Sequence, residues 1–262
     1  MLRKHRLYLK VEKYTFECTM VEYLGLVLSE GWVEMDPVKI AGVRDWLTPK
    51  NVTEVQSFVG FVNFYCRFIP EFSHVASPLH CLTKKAEPWR WTQPEEAAFR
   101  ALKSLITSAP VFILPDQDAR FQLETDTSGY ATGVILSQLR NDEKWHPVSF
   151  MSKSLSLAEC NYTIYNKELL LVICGLEEWR HILEGTKHMI EILNDHQNLM
   201  YFQTAQTLNR CQARWSLYLS RFDYSLTHRA GRHSAKPDTL FRHINHQPKG
   251  DNNKDQIMLL VE

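Results

Sequence analysis

Four acidic residues in the second half of the chain stand where secondary-structure elements are predicted to end or to begin. They are Asp126, Glu168, Asp195 and Asp238, on elements predicted to follow the order strand, helix, strand, helix. Converging carboxylates repel one another and are usually held together by divalent cations. Oxygen ligands favour Mg²⁺ or Mn²⁺ over zinc, and two such ions can promote cleavage of a phosphodiester bond. The pattern therefore predicts the site of a two-metal nuclease.

Each of these acids, taken singly, has a simpler interpretation. A lone Asp or Glu is more often a helix cap, a turn residue or a solvated surface charge than a metal ligand. Four of them at successive element junctions favour a shared site.

The residues around each acid predict the element that carries it. Alternating apolar residues before Asp126 predict a half-buried strand, and apolar residues with helical spacing surround Glu168. Asp195 closes an apolar run that predicts a buried strand, and Asp238 follows a proline at a predicted helix start. The predicted elements of this half are strands at 119–126, 132–139, 145–153, 188–194 and 223–229, a long helix over 157–183, a helix through 208–219 and a short last helix. This order predicts a mixed α/β sheet flanked by helices.

The upstream half is predicted to be mostly helical after a few short strands. The apolar run 20–28 predicts an edge strand without sheet partners, and a helix is predicted to begin near Pro37. Two pairs with capping-box spacing, Asn51 with Glu54 and Thr92 with Glu95, predict two further helix starts. The aromatic residues of the helix after Asn51 are predicted to lie in a core rather than to stack on bases. The segment 110–118, with its two prolines, is predicted to be a domain boundary.

Four stretches that contain the acids resemble the ribonuclease H domain of gypsy-type long-terminal-repeat retrotransposon polyproteins, with matching order and spacing. These stretches are 124–138, 165–170, 194–199 and 236–242. Upstream, the stretches 23–25, 35–39 and 55–70 resemble the end of the palm, the thumb and the connection of the reverse transcriptase of the same elements. The resemblance covers nearly the whole chain.

This resemblance implies a ribonuclease H-like mixed five-stranded sheet flanked by helices, preceded by a mainly helical segment. The implied division is a palm remnant at 1–30, thumb and connection at 31–110, a ribonuclease H-like domain at 111–245 and a polar tail at 246–262. The implied activity is endonucleolytic hydrolysis of the RNA strand of an RNA–DNA hybrid, leaving a free 3′ hydroxyl. Its implied cofactors are two Mg²⁺ ions, with Mn²⁺ as an alternative, bound by Asp126, Glu168, Asp195 and Asp238. The implied partners are the hybrid and the remaining segments of the polyprotein.

The chain departs from the family pattern at three places. The polymerase signature, a tyrosine and one further residue followed by two aspartates, does not occur, so no DNA synthesis is expected from this chain alone. Phe241 stands where the family usually has serine, and Asn194 stands where threonine is common. The alternatives to a nuclease are a catalytically idle nucleic-acid-binding remnant and a non-enzymatic scaffold. Hybrid binding without cleavage would favour the remnant, and neither binding nor cleavage would favour the scaffold.

Basic residues are concentrated between positions 206 and 250, although the formal net charge of the chain is zero. Candidate contacts to nucleic-acid phosphates are Arg210, Arg214, Arg229 and Arg232. A hybrid differs from duplex DNA in the sugar hydroxyls of its wide minor groove, and Ser128 and Gly129 beside the first acid are candidate contacts there. An ordinary solvated helix face is the alternative for the basic residues.

One histidine is a candidate for a role in turnover. His228 lies ten residues before Asp238, in a predicted loop, where the resemblance to retroviral relatives implies a mobile histidine that helps the product leave. An imidazole at this position also suits a proton shuttle. His233 is an alternative, and a solvated loop histidine is the simpler interpretation of either.

The six cysteines are scattered without metal-ligand spacing, which disfavours zinc sites and disulfides. Free thiols predict an intracellular setting, in the cytoplasm, in virus-like particles or in the nucleus. The amino terminus lacks the apolar core of a signal peptide, and no stretch approaches the roughly 18 apolar residues that span a membrane. No membrane partner is expected, and no pattern indicates an oligomeric state.

Overall fold

Two hydrophobic cores organise the chain, one mostly helical and the other built on a five-stranded sheet. The computed structural model describes residues 17–85, 87–108, 111–127, 131–194, 199 and 209–229, and of residues 126, 127 and 131 it describes the backbone only. Across these ranges, no helix is long and apolar enough to cross a membrane. The six cysteines all lie in the described ranges, and none of them forms a disulfide.

Three short strands near residue 30 pair with a fourth from much later in the sequence. They are β1 (Met20–Tyr23), β2 (Leu26–Ser29), β3 (Trp32–Met35) and β4 (Phe112–Ile113), antiparallel and in that spatial order. The prediction of one partnerless strand over 20–28 is wrong, because β3 and β4 extend the sheet and a turn at Leu24 and Gly25 divides the run. Both turn residues have positive φ, 51° and 77°. The Tyr65 hydroxyl donates to the Gly25 carbonyl at 3.2 Å, which fixes the turn against the helical core.

Five helices and a short 3₁₀ turn build the upstream core. They are α1 (Pro37–Arg44), α2 (Val52–Phe64), the 3₁₀ turn Cys66–Phe68, α3 (Phe72–Val75), α4 (Ser77–Leu82) and α5 (Gln93–Thr107). Both helix starts predicted from capping spacing are confirmed. The Glu54 amide donates to the Asn51 side chain at 2.9 Å, and the Thr92 amide donates to the Glu95 carboxylate at 2.8 Å. On α2, Phe58 is fully buried, as predicted for a core helix.

The second core is built on a mixed five-stranded sheet. Its strands are β5 (Phe121–Thr127), β6 (Ala131–Leu139), β7 (Trp145–Ser154), β8 (Ile190–Asn194) and β9 (Tyr224–His228), in the spatial order β7-β6-β5-β8-β9. The first three strands pair antiparallel, whereas β8 is parallel to both β5 and β9. The predicted mixed α/β sheet flanked by helices is confirmed. Because β5 and β8 are parallel, their carboxyl ends lie at the same edge of the sheet.

The helices of this half are shorter than the sequence pattern predicts. They are α6 (Leu157–Cys160), α7 (Ile164–Glu178), α8 (Arg180–Leu183) and α9 (Arg210–Leu219). The single helix predicted over 157–183 is wrong, since it is three segments. Thr163 caps a new start by accepting from the Asn166 amide, and the backbone of Trp179 (φ −104°, ψ 23°) ends α7. Apolar spacing continues across both breaks, so periodicity alone does not reveal them.

Helix α7 packs closely on the central strands. A Cβ atom added at Gly175 would lie 3.0 Å from Val134 and 3.3 Å from Leu123, which belong to β6 and β5. The helix can approach the sheet this closely because glycine has no side chain at the crossing point. The position of every other residue of α7 over the sheet depends on that approach.

Replacing Gly175 with alanine is expected to lower the free energy of unfolding by about 1 kcal/mol. Overpacking of a buried contact typically costs about 1–3 kcal/mol, and the higher helix propensity of alanine offsets at most about 1 kcal/mol of it. Gly60→Ala is the matched control, since Gly60 lies within α2 and an added Cβ there meets nothing within 4 Å. Denaturant unfolding should show Gly60→Ala more stable than the wild type by roughly 0.5–1 kcal/mol. A Gly175→Ala protein as stable as Gly60→Ala would contradict the close packing of α7.

The two cores meet along β4, α3 and β7. Phe112 of β4 stacks on Phe68 with ring centroids 4.6 Å apart and meets Phe150 of β7 edge-on at 5.2 Å. Beside them, the Ser73 amide of α3 donates to the Ser152 hydroxyl of β7 at 2.8 Å. The next residue after Phe112, Ile113, belongs to the core of the five-stranded sheet. Apolar packing therefore continues from one core to the other.

The helix that precedes α7 depends on an ion pair that is sensitive to acid. Two hydrogen bonds hold the pKa of Glu159 at about 2 instead of 4.5. The bond from the Lys153 ammonium has the larger effect, and the bond from the Ser156 amide has the smaller. Burial alone would lower the pKa of Lys153, but its contacts with Glu159 and Cys174 together outweigh burial and raise the pKa. Because the Glu159 pKa is depressed in the folded protein, the pair stabilises fully above about pH 4.5, and this stabilisation is lost as the pH falls towards 2.

Glu159→Gln is therefore expected to flatten the acid dependence of stability. The melting temperature of the wild type should fall more between pH 6 and pH 3 than that of the variant, and the difference at pH 6 should favour the wild type. Glu30→Gln, at an exposed turn, controls for the loss of one carboxyl group. Parallel acid profiles for wild type and Glu159→Gln would show that the ion pair does not stabilise the fold.

Candidate active site

Glu168 is a buried carboxylate on a helix that is otherwise apolar where it faces the sheet. It lies in the second turn of α7 and is 1% exposed. Its neighbours in the same helix, Leu169 and Val172, are fully buried in the core of the five-stranded sheet. A buried carboxylate is costly unless hydrogen bonds or cations compensate it. Its presence here is the first structural sign of a functional site.

Two buried polar side chains, Asn194 and Thr125, form a hydrogen-bonded network with this carboxylate. The amide nitrogen of Asn194, the last residue of β8, donates to the Glu168 carboxylate and, at 2.9 Å, to the Thr125 hydroxyl of β5. The Thr125 hydroxyl donates in turn to the Leu193 carbonyl at 3.4 Å. Thr125 is 6% exposed and Asn194 is 4% exposed. The network ties α7 to the carboxyl ends of two parallel strands.

Of the four predicted acids, the described residues include Glu168 and the backbone of Asp126. Asp126 follows Thr125 in β5, next to the last residue of that strand, and its backbone pairs with Gly133. Asp195 follows Asn194 in the sequence and lies outside the described residues, as does Asp238. The structure thus brings together Glu168, the strand end that carries Asp126 and the strand that leads to Asp195.

Polar contacts continue from this network to the edge strand β9. The Arg229 amide donates to the Asn194 carbonyl at 2.8 Å, and the Arg229 guanidinium lies 3.3 Å from the Glu124 carboxylate. Arg229, a predicted phosphate contact, therefore pairs with a carboxylate of β5. His228 is the last residue of β9 and is aligned with Asn194 in the strand register, which agrees with the strand predicted over 223–229 and shows that the placement of His228 in a loop is wrong. His233 lies outside the described residues.

Helix α9 presents two of the predicted phosphate contacts. Arg210 and Arg214 are exposed and four residues apart, which puts them on one side of the helix, and neither forms an ion pair with a described residue. The helix is attached to α7 near Glu168, because the Gln212 side chain donates to Asn166 at 3.1 Å. The other predicted nucleic-acid contacts, Ser128, Gly129 and Arg232, lie outside the described residues.

One further group near the acid has a strongly shifted pKa. Burial raises the pKa of Tyr165, three residues before Glu168, to about 12. Its phenol therefore stays protonated at neutral pH and packs against the core of the five-stranded sheet. It adds no charge to the site.

The donor chemistry fits a hard divalent cation. Within the described ranges no group of three or more His, Cys, Asp or Glu side chains that could hold a metal is found, and three of the four predicted ligands have side chains outside those ranges. The fourth, Glu168, accepts a hydrogen bond from the Asn194 amide, which also donates to the Thr125 hydroxyl. Oxygen ligands of this kind suit Mg²⁺ or Mn²⁺.

Two residues of the network were not predicted as site residues. The sequence pattern marks Thr125 only as part of an alternating strand and Asn194 only as a departure from a family pattern. The available signal was the presence of a polar residue immediately before each strand-end aspartate, at Thr125 before Asp126 and at Asn194 before Asp195.

Comparison with known proteins identifies relatives of this chain. Residues 91–190 match the family of RNase H-like domains found in reverse transcriptase. The chain is 35% identical over 243 residues to the transposon Tf2-3 and Tf2-4 polyproteins of Schizosaccharomyces pombe. These alignments cover 92% of this chain and 18% of each polyprotein.

Solved structures with a similar fold come from a foamy viral protease-reverse transcriptase. Its complex with an RNA/DNA hybrid superposes with a TM-score of 0.68 over 95% of this chain and 33% of that chain, at 18% sequence identity. Its complex with double-stranded DNA gives a TM-score of 0.67 over 81% of this chain and 45% of that chain, also at 18% identity. The fold is therefore shared with a reverse transcriptase.

Proposed function

We propose that this chain is a metal-dependent ribonuclease H, because residues 91–190 match the family of RNase H-like domains found in reverse transcriptase and most of the chain is similar to retrotransposon polyproteins. The reaction is endonucleolytic hydrolysis of the RNA strand of an RNA–DNA hybrid, which leaves a 3′ hydroxyl. The observation that carries the proposal is Glu168, a carboxylate buried where α7 meets the carboxyl ends of β5 and β8. The proposal also assigns the retrotransposon relatives of this chain to the gypsy type.

The proposed metal ligands are Asp126, Glu168, Asp195 and Asp238. When bound, two Mg²⁺ or Mn²⁺ ions would supply an activated water for attack on phosphorus and stabilise the leaving oxygen. The protein holds Glu168 on a helix packed against the sheet, so the carboxylate does not have to be ordered when the substrate arrives. Asp126 belongs to β5 and directly follows Thr125. Asp195 directly follows Asn194, the last residue of the parallel strand β8. Thr125 and Asn194 are the two residues of the network around Glu168.

The substrate side of the site is proposed to include α9. Arg210 and Arg214 are exposed on a helix that is hydrogen-bonded to α7 two residues from Glu168, and cations at that position would bind the backbone phosphates of the hybrid. Arg232, Ser128 and Gly129 are proposed as further contacts, the last two to the minor groove. Arg229 is proposed to contribute to phosphate binding while it is paired with Glu124. His228 is proposed to assist product release.

The domain division remains part of the proposal. Residues 1–30, 31–110, 111–245 and 246–262 are assigned to a palm remnant, thumb and connection, the ribonuclease H-like domain and a polar tail. The chain spans 18% of the length of the curated polyproteins it matches, so the other segments of such a polyprotein are proposed as partners. The setting proposed for this activity is intracellular.

The proposal is tested with a 20-base-pair hybrid whose RNA or DNA strand carries a label. The chain should cut the RNA strand of the hybrid with Mg²⁺ or Mn²⁺, and not with a chelator. Duplex DNA and duplex RNA of the same sequence should stay intact under the same conditions. Tight hybrid binding without cleavage by either metal would replace the proposal with the catalytically idle remnant.

A further inference from the structure

The amide of Asn194 occupies a central position among the proposed ligands, and we infer that Asn194 is a positioning residue that orients the Glu168 carboxylate for divalent metal binding. This inference rests on the proposed function. It concerns a residue that would touch neither metal nor substrate and would act through Glu168.

The contacts of Asn194 lead to three of the four proposed ligands. Its side chain donates to Glu168 itself and to Thr125, the residue before Asp126. Asn194 is also the residue before Asp195. A rotation of this one amide would therefore change the orientation of Glu168 and loosen the contact between the two strand ends.

Burial and a main-chain hydrogen bond limit the motion of Asn194. Asn194 is 4% exposed, so water does not compete for its hydrogen bonds. Its carbonyl oxygen on the main chain accepts from the Arg229 amide at 2.8 Å, which fixes the backbone on the side of β9. The side-chain amide thus donates from a rigid support.

An amide is chemically suited to this role. A lysine or arginine in the same place would orient the carboxylate but would also neutralise the charge that a cation needs. A neutral N–H donor orients the carboxylate and leaves its negative charge available. Groups that orient a metal ligand in this way typically contribute about 10- to 100-fold to metal affinity.

Another buried amide of the sheet provides a matched control. Gln122 of β5 is 6% exposed and donates to the Glu191 carboxylate of β8 at 2.8 Å. Like Asn194, Gln122 donates from a buried amide to a carboxylate and links β5 to β8, but it joins neither Glu168 nor Thr125. Loss of either amide should weaken the contact between β5 and β8, and only loss of Asn194 should weaken metal binding.

The experiment measures Mn²⁺ binding to the full chain by electron paramagnetic resonance, alongside hybrid cleavage as a function of Mn²⁺ concentration. Asn194→Leu should weaken Mn²⁺ binding by about 10-fold or more, and Gln122→Met should bind Mn²⁺ as the wild type does. Thr125→Val, which keeps the shape of the side chain and removes the acceptor for Asn194, should weaken binding to an intermediate degree. Thr125→Val carries the test if Asn194→Leu does not fold.

Three outcomes overturn the inference, and they differ in what they say about the nuclease. If folded Asn194→Leu or Thr125→Val binds Mn²⁺ with wild-type affinity, the inference about Asn194 is overturned. Cleavage of the hybrid by the wild type would then leave the proposed function standing. Equal weakening in the Gln122→Met protein would reduce Asn194 to a general structural contact. A wild type that neither binds Mn²⁺ nor cleaves hybrid would overturn the proposed function and this inference together.

Discussion

Glu168→Gln is expected to reduce hybrid cleavage by more than about 100-fold while the protein stays folded. Even residues that only support a metal ligand contribute roughly 10- to 100-fold, and Glu168 is proposed as a ligand itself. Glutamine has nearly the same shape and can still accept the hydrogen bond from Asn194, so the network persists without its charge. The free energy of unfolding without metal should stay equal or rise, because a buried charge has been removed.

The control for this substitution is Glu191→Gln. Glu191 lies on β8, three residues before Asn194, and accepts a hydrogen bond from a buried amide as Glu168 does. It is not connected to the network around Glu168, so cleavage should remain close to that of the wild type. A Glu168→Gln protein that cuts hybrid as fast as Glu191→Gln would remove Glu168 from the metal site.

Phe112→Ala is expected to destabilise the protein by about 3–5 kcal/mol, the usual cost of truncating a buried phenylalanine. Phe112 is 2% exposed and contacts Phe68 on one side and Phe150 of β7 on the other. Its removal should therefore weaken the junction between the two cores as well as the core itself. Chemical unfolding followed by tryptophan fluorescence should show a lower midpoint, and two transitions if the cores then unfold separately.

Phe64→Ala is the matched substitution outside the core. Phe64 is 51% exposed near the end of α2, so its truncation should cost less than about 1 kcal/mol. Equal losses of stability in the two variants would show that the junction at Phe112 does not couple the cores.

Local patterns predicted the elements whose signals lie within a few residues. The capping spacing at Asn51 and at Thr92 located the starts of α2 and α5, and alternation of apolar residues located β5, β6 and β7 within two residues. The order of strands and helices was then enough to predict the mixed sheet. The handedness of crossover connections and the adjacency of consecutive elements allow few arrangements of the strands. Glu168 was found on its helix because the apolar spacing around it is strong.

Contacts between distant residues were not predictable in the same way. Strand β4 pairs with β3 across more than seventy residues, and two apolar residues in a proline-containing segment carry no signal of that partner. The turn at Leu24 is hidden inside an apolar run. The Asn194 network joins positions 69 and 26 residues apart, so the role of this amide appears only when β5, β8 and α7 are assembled.

The central claim is that four carboxylates support metal-dependent cleavage of the RNA strand of a hybrid. The most direct measurement is the single-turnover rate of that cleavage, with Mg²⁺, for the wild type beside Asp126→Asn, Glu168→Gln, Asp195→Asn and Asp238→Asn. The expected result is cleavage by the wild type and a loss of more than about 100-fold in each folded variant. A wild-type rate that survives in the Asp126→Asn and Glu168→Gln proteins, or a folded wild type that is inert with both Mg²⁺ and Mn²⁺, would contradict the claim.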